Sequence, residues 1–154
     1  MRFDIVDPFV SSLISVCDKL GIKIEKDKIV IKTGKRVDAR FSFYFKIKGD
    51  FKGIVIYEIS DNLTKEIIGK LYQVNEVPDD EDLILSGISE FGNLVNSKLV
   101  EVLYNIGKDF STSYPMFSRS KGRIISYSSP CVEVEFVSEF GNLVLSIIFE
   151  SVNM

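Results

Sequence analysis

Four polar residues in the middle of the chain, Ser86, Glu90, Asn93 and Ser97, are separated by four, three and four positions. Residues three and four positions apart lie on the same face of an α-helix, so this spacing predicts one polar line along a helix. A glutamate there can pair with a lysine of another molecule, and an asparagine can donate and accept hydrogen bonds and so orient a water. Because an asparagine cannot act as a general base, any hydrolysis it assists needs an already reactive substrate or a metal held by another molecule. The alternative is a solvated helix face without chemical function.

The residue counts exclude several kinds of catalytic and metal site. The chain contains no histidine, which rules out Ser-His-Asp and Cys-His catalysis and histidine metal sites. Its two cysteines, Cys17 and Cys131, each lie in an apolar stretch, where a thiol usually packs as a small hydrophobic side chain. We therefore expect two buried free thiols, with a disulfide or a reactive thiol as the alternatives. So few cysteines in 154 residues suit a reducing compartment.

Length and composition favour one ordinary globular domain spanning residues 1–154. Hydrophobic residues make up 45% of the chain and charged residues 27%, with a net charge of -3. These values are typical of a folded protein and not of a general nucleic-acid binder. The apolar runs are far shorter than the roughly 20 residues that span a bilayer, and the N-terminus has no signal-peptide pattern. We therefore expect a cytoplasmic protein that binds neither membrane nor nucleic acid.

The first third of the chain predicts a helix followed by antiparallel strands. Asp7-Pro8 is typical of a helix start with Asp7 as the N-cap, and Gly21 is placed to end that helix. Two short strands should follow, joined by a turn at Lys26-Asp27-Lys28. The inner face of the next strand is then formed by Phe41, Phe43, Phe45 and Ile47. A hairpin at residues 49–53 should join this strand to its neighbour.

Two further helices are predicted after the hairpin. The shorter one opens at Ser60-Asp61, and the longer one follows the acidic residues 79–82 and ends at Gly107. The apolar stripe of the longer helix consists of Ile84, Leu85, Ile88, Phe91, Val95, Leu99, Val102, Leu103 and Ile106. Because a helix start explains the acidic residues, we expect no tightly bound divalent metal in this chain.

Three closing strands complete the predicted sheet. They follow a polar loop after the longer helix and fall at residues 124–127, 132–137 and 143–149. The whole pattern predicts an α+β domain in which helices pack on one face of a mainly antiparallel sheet.

Ten lysine and arginine residues are concentrated between Lys23 and Lys52. A nucleic-acid surface is disfavoured, because the aromatic residues of this segment alternate inward rather than outward. Lysines on solvated strands and sheet edges also prevent unwanted pairing. The remaining alternative is a sheet-edge interaction domain whose basic strands bind an acidic protein.

The heptapeptide Ser-Glu-Phe-Gly-Asn-Leu-Val occurs twice, at residues 89–95 and 138–144. The second copy lies between two segments whose apolar residues alternate with period two, and Gly141-Asn142 is typical of a turn. We predict a hairpin for this copy, so that Glu139 and Asn142 are not a second functional pair.

The sequence Ser86-x-x-x-Glu90-x-x-Asn93 resembles the CheC/CheX/FliY phosphatases of bacterial chemotaxis, whose signature is Asp or Ser, three residues, Glu, two residues and Asn. Similarity in the same order covers most of the chain, including Asp7-Pro8-Phe9, the hairpin at 49–53 and Asn105-Ile106-Gly107-Lys108. The single copy of the motif and the chain length are most similar to the CheX members. Two departures are Asn96-Ser97, where the family favours a small residue and glycine, and Tyr114-Pro115, where it often has two prolines.

The resemblance implies a phosphatase that accelerates hydrolysis of the phosphoaspartate on a CheY-type response regulator. It implies that Glu90 pairs with the regulator's active-site lysine and that Asn93 orients the attacking water, with Ser86 and Ser97 as partner-binding residues. It also implies no cofactor in this chain, Mg²⁺ on the partner, and a homodimer joined through the sheet. The alternative is a non-catalytic module that binds the response regulator or belongs to the flagellar switch.

Overall fold

The computed structural model describes residues 5–37, 39–118 and 123–150. Within these ranges the chain forms three α-helices and seven β-strands. The helices are α1 (Val6–Lys19), α2 (Asp61–Tyr72) and α3 (Glu81–Asn105). The strands are β1 (Glu25–Val37), β2 (Phe41–Gly49), β3 (Gly53–Ile59), β4 (Phe110–Thr112), β5 (Met116–Ser118), β6 (Arg123–Ser138) and β7 (Gly141–Phe149). No helix in these ranges is long and apolar enough to cross a membrane.

The strands form one antiparallel sheet in the order β1-β6-β7-β3-β2-β4, and β5 also pairs with β2. The main hydrophobic core joins buried residues of all three helices to the inward-facing residues of β2, β3, β6 and β7. A smaller apolar cluster lies on the opposite face of the sheet. The predicted α+β architecture, with helices on one face of an antiparallel sheet, is confirmed.

The inner face of strand β2 is mostly aromatic and packs against α3. The residues of its inner face, each at most 2% exposed, are Phe41, Phe43, Phe45 and Ile47. The Phe43 ring stacks on Tyr57 of β3 with 4.6 Å between centroids and meets Phe91 of α3 edge-on at 6.0 Å. Such aromatic pairs contribute about 0.5–1.5 kcal/mol each beyond the burial of their surface. They therefore help to fix α3 against the centre of the sheet.

The predicted start of α1 is wrong, although its predicted end is confirmed. The helix begins at Val6, and the preceding Ile5 makes no side-chain capping bond. Asp7 and Pro8 lie in the first turn instead, where a proline removes no intrahelical hydrogen bond. The Asp7 carboxylate still stabilises the positive end of the helix dipole. At the other end, Gly21 follows the last turn with a φ of 79°, a left-handed conformation that favours glycine.

The predicted turn at Lys26–Lys28 is also wrong. Strand β1 runs uninterrupted through these residues, and its pairing with β6 shifts register between Lys26 and Lys28. A bulge absorbs an extra residue without ending a strand, so three charged residues in a row can lie inside one. Beyond the bulge, the apolar residues Ile29, Val30 and Ile31 are 39%, 38% and 53% exposed, because β1 lies at the edge of the sheet.

The closing part of the sheet differs from the prediction in its strand count. Strand β6 is one strand of 16 residues, and it covers both predicted strands at 124–127 and 132–137. Strands β4 and β5 lie in a stretch predicted to be a polar loop. Strand β7 confirms the predicted strand at 143–149.

Lysines of the basic segment pair with glutamates on other strands of the sheet. Lys32 lies 2.7 Å from a carboxylate oxygen of Glu133. Lys35 is buried between Glu58 and Glu133, with its Nζ 2.7 Å from the second Glu133 oxygen. Burial alone would lower the pKa of Lys35, but its hydrogen bonds to Glu133 and Glu58 raise that pKa overall, so the ammonium stays charged. These positive charges are therefore neutralised within the sheet.

Both cysteines are free and buried, as predicted. Burial raises the pKa of Cys17 to about 12 and that of Cys131 to about 11. Thiols with such pKa values stay protonated at neutral pH, and a protonated thiol is a poor nucleophile.

Candidate functional site

Helix α3 begins at a capping aspartate, as the acidic cluster predicted. The Asp80 carboxylate accepts hydrogen bonds from the backbone N–H groups of Asp82, at 3.0 Å, and Leu83, at 3.3 Å. Arg40 lies 3.6 Å from Asp79 and so balances part of the remaining charge. Capping accounts for Asp80, and ion pairs with Arg40 account for Asp79 and Glu81. Among the described residues, no group of three or more His, Cys, Asp or Glu side chains is placed to hold a metal ion.

The apolar stripe of α3 fixes the rotation of the helix on the sheet. Its buried members, each at most 3% exposed, are Ile84, Ile88, Phe91, Val95, Leu99 and Leu103. Leu85 and Val102 are only partly buried, and Ile106 is 52% exposed, because the helix ends before it. With this side of the helix against the core, the opposite side must face solvent.

The predicted polar line lies on the solvent-facing side of α3. Ser86, Glu90, Asn93 and Ser97 are all exposed. At 1.5 Å per residue, the line extends about 16.5 Å from Ser86 to Ser97, and Glu90 and Asn93 are about 4.5 Å apart along the axis. A rigid helix therefore presents a carboxylate and a carboxamide side by side on an accessible surface.

The side chains of Glu90 and Asn93 are free of hydrogen bonds to the described residues. Within the part of the chain that the structure describes, neither takes part in a hydrogen bond, and Glu90 forms no ion pair. A partner can thus contact both groups without first breaking an internal bond. The geometry fits recognition of a cationic group by Glu90 and placement of a water or a polar ligand by Asn93.

A connecting loop lies beside Asn93 and forms a wall next to α3. It is formed by residues 113–115, which connect β4 to β5. Asn96, one turn after Asn93, is 9% exposed. Its amide nitrogen donates to the Ser113 carbonyl at 2.9 Å, and its oxygen accepts from the Thr112 hydroxyl at 2.6 Å. Asn96, one of the residues noted above as a departure from the resembled family's pattern, therefore links this connection to α3 by hydrogen bonds.

The wall and the helix form the sides of an open cavity of about 670 Å³, which Asn93, Ser97 and Tyr114 help to line. Sequence reasoning identified Asn96 and Tyr114 only as departures from a family pattern. No local signal predicts that Asn96 bonds to Ser113, the residue before Tyr114, because 17 positions separate the two along the chain.

The second heptapeptide lies in a hairpin, as predicted. Glu139 and Phe140 form the turn between β6 and β7, and Asn142 pairs with Val137 in the ladder. The Asn142 amide lies 3.4 Å from a carboxylate oxygen of Glu135. Glu139 and Asn142 therefore belong to a different element from Glu90 and Asn93.

No family model matches this sequence, and no curated protein is significantly similar to it. Solved structures, in contrast, match over almost the whole chain. A CheC-like superfamily protein from Shewanella sp. PV-4 is 23% identical, with a TM-score of 0.84 over 98% of this chain and 100% of that one. The chemotaxis protein CheX from Desulfovibrio desulfuricans is 18% identical, with a TM-score of 0.83 over 96% and 99%.

A third match was solved as a complex. It is CheX from Borrelia burgdorferi, in a structure with CheY, BeF₃ and Mg²⁺; it is 23% identical, with a TM-score of 0.78 over 97% of this chain and 100% of that one. These likenesses define the class: the chain has the CheX/CheC-like fold. The resemblance drawn from the sequence is confirmed at that level.

Proposed function

We propose that this protein is a phosphatase that accelerates hydrolysis of the phosphoaspartate on a CheY-type response regulator in chemotaxis signalling. The observation that carries the proposal is the pair Glu90 and Asn93 on the exposed face of α3, in the order and spacing of the phosphatase signature. The CheX–CheY complex from Borrelia burgdorferi adds support, because BeF₃ is a mimic of the phosphoryl group and that structure has the same fold.

In the proposed reaction, a water attacks the phosphorus atom, and the bond from phosphorus to the aspartyl oxygen breaks. The products are inorganic phosphate and the free aspartate carboxylate. Asn93 holds the water in line with the breaking bond through its carboxamide, which is positioning rather than acid–base chemistry. Because Asn93 cannot take up the proton of the water, the proton goes to phosphate oxygens or to solvent.

Glu90 docks the helix on the partner in this proposal. Its exposed carboxylate meets the active-site lysine of the regulator, which places Asn93 over the phosphoryl group. Ser86 and Ser97 lie one turn outside this pair on the same line and contact the partner at its edges. The Mg²⁺ that the reaction uses belongs to the regulator, where it neutralises charge on the phosphoryl oxygens.

The test is the decay of a phosphorylated regulator with and without this protein. Acceleration at substoichiometric concentration is the expected result. Binding without acceleration would favour the alternative, a non-catalytic module that binds the regulator or belongs to the flagellar switch. Absence of both binding and acceleration would contradict the proposed function.

We further propose a homodimer joined through the sheet. Strand β1 is the last strand of the sheet, and in the described ranges it pairs on one side only, with β6. Its exposed Ile29, Val30 and Ile31 form an apolar edge of the kind that pairs with another strand. Light scattering should give a dimer mass, and Ile31→Lys should shift that mass to the monomer. A monomeric wild type at micromolar concentration would contradict the dimer.

A further inference from the structure

Residues 113–115, the connection from β4 to β5 that forms one wall of the cavity beside Asn93, are hydrogen-bonded on two sides. On the sheet side, the Ser113 N–H donates to the Lys46 carbonyl, and the Lys46 N–H donates to the Ser113 hydroxyl, each at 2.9 Å. On the helix side, the Asn96 amide donates to the Ser113 carbonyl at 2.9 Å. A short loop bonded to both a strand and a helix has little freedom to move away from α3.

A glycine lets this loop approach the helix. Gly92 faces the same side of α3 as Asn96, one turn away, and a Cβ atom built there would lie 3.3 Å from both Pro115 and Phe43. Pro115 itself is buried. Gly92 and Asn96, which lie on either side of Asn93 in the chain, therefore form a seat against which the connection packs.

Tyr114, unlike its neighbours Ser113 and Pro115, remains exposed to solvent. It lies between the fixed Ser113 and the buried Pro115, and it is 90% exposed at the rim of the cavity that Asn93 also lines. A large aromatic side chain on a fixed backbone loses little conformational entropy when a partner covers it. Tyrosines in such positions are enriched among the residues that contribute most to binding.

We propose that Tyr114 is a docking residue for the phosphorylated regulator and that Asn96 is the positioning residue that holds it beside Asn93. The inference rests on the proposed function. The molecule that occupies the cavity is the same regulator, through the surface that surrounds the regulator's phosphoryl group. Asn93 must reach the phosphoryl group. The regulator surface around that group must therefore contact the cavity wall, which lies one helix turn from Asn93. Asn96 acts through the connection and touches no reacting atom.

The test separates docking from chemistry. The regulator dephosphorylation rate is measured against regulator concentration for wild type, Tyr114→Ala, Tyr114→Phe, Asn96→Ala and the Tyr114→Ala/Asn96→Ala double variant. Tyr114→Ala should raise KM about tenfold, the size expected for one interface aromatic, and leave kcat within about twofold. Tyr114→Phe keeps the ring and should keep most of the affinity. Tyr72→Ala, an exposed tyrosine on α2, is the matched control and should leave both constants unchanged.

The double variant distinguishes positioning from a general structural role. If Asn96 acts by placing Tyr114, Asn96→Ala should raise KM in the wild-type background and add little in the Tyr114→Ala background. Equal effects in both backgrounds would overturn the positioning role. A wild-type KM for Tyr114→Ala would overturn the docking role. Thermal unfolding identifies any variant that is not folded, and if Asn96→Ala does not fold, Asn96→Asp, which retains only the bond to Thr112, takes its place.

The failure of this inference can be told from the failure of the proposed function. If wild type binds a BeF₃-treated regulator but does not accelerate hydrolysis, the catalytic proposal fails, and the dissociation constants of the same variants test the docking surface. If wild type neither binds nor accelerates, both proposals are overturned.

Discussion

Two identical heptapeptides in this chain have different structures. Residues 89–95 lie in the middle of α3, where Phe91 and Val95 are buried and Glu90 and Asn93 are exposed. Residues 138–144 run from the end of β6 through a turn into β7. The same seven side chains thus produce a rigid helical surface in one place and a chain reversal in the other.

The local interactions of the two copies are also different. In the second copy, the Ser138 hydroxyl accepts from the backbone N–H groups of Phe140 and Gly141, both at 3.2 Å, and donates to the Gly141 carbonyl at 2.7 Å. Gly141 has a φ of 143°, a conformation that side chains rarely adopt. In the first copy, the corresponding Gly92 is helical and packs against Phe43 and Pro115.

The flanking residues decide between these outcomes. The first copy continues a stripe with helical spacing that begins at Ile84, whereas the second interrupts two segments of period-two alternation. A short motif therefore has a function only when its surroundings give its side chains the right geometry. The pair Glu–x–x–Asn lies on one face in a helix but not across a hairpin turn.

The largest expected difference between the copies is in catalysis. Asn93→Ala should lower the rate of regulator dephosphorylation about a hundredfold, which corresponds to ~2.7 kcal/mol of transition-state stabilisation from one oriented water. Stability should stay nearly constant, because the side chain is exposed and makes no hydrogen bond to the described residues. Asn142→Ala is the matched control and should leave the rate unchanged. Equal losses in the two variants, measured by phosphate release, would contradict the assignment of the site to α3.

The glycines should differ in their effect on stability. Gly141→Ala should lower the free energy of unfolding by about 2 kcal/mol, because of the φ of 143° and because a Cβ there would collide with the Ser60 hydroxyl. Gly92→Ala should change it by less than about 1 kcal/mol, because alanine's higher helix propensity offsets the close contacts at 3.3 Å. Urea unfolding of both variants measures the difference. A larger loss from Gly92→Ala would mean that the seat for residues 113–115 is tighter than its distances indicate.

The glutamates should differ in docking. Glu90→Gln removes the charge proposed to meet the regulator's lysine and should weaken binding of a BeF₃-treated regulator about tenfold, within the range for one interfacial charge pair. Glu139→Gln, in the hairpin turn, should bind as wild type does. The difference should shrink at high ionic strength if the contact is partly exposed to solvent. Titration calorimetry at two salt concentrations measures both effects, and equal affinities for the two variants would contradict a docking role for Glu90.

The elements that could be predicted from the sequence are those with local signals. The alternation in β2, the capping aspartate of α3 and the apolar stripe after it each need only a few neighbouring residues. The exposed line of Glu90 and Asn93 follows from the same periodicity. Predictions failed where the deciding partner was distant. Lys26–Lys28 is a strand because β6 pairs with it across a bulge, and β4 and β5 are strands because they pair with β2. The bond of Asn96 to Ser113 belongs to this second group.

The separation of roles around α3 has an evolutionary consequence. The residues that hold the helix on the sheet are buried, while those proposed to meet a partner are exposed and carry little of the fold's stability. Exposed positions of this kind usually tolerate substitution within about 0.5 kcal/mol. After gene duplication, a copy can therefore diverge at Ser86, Ser97 or Tyr114 without losing its fold. New partner preferences can arise by small steps, each through a folded protein, while the pair Glu90 and Asn93 is kept.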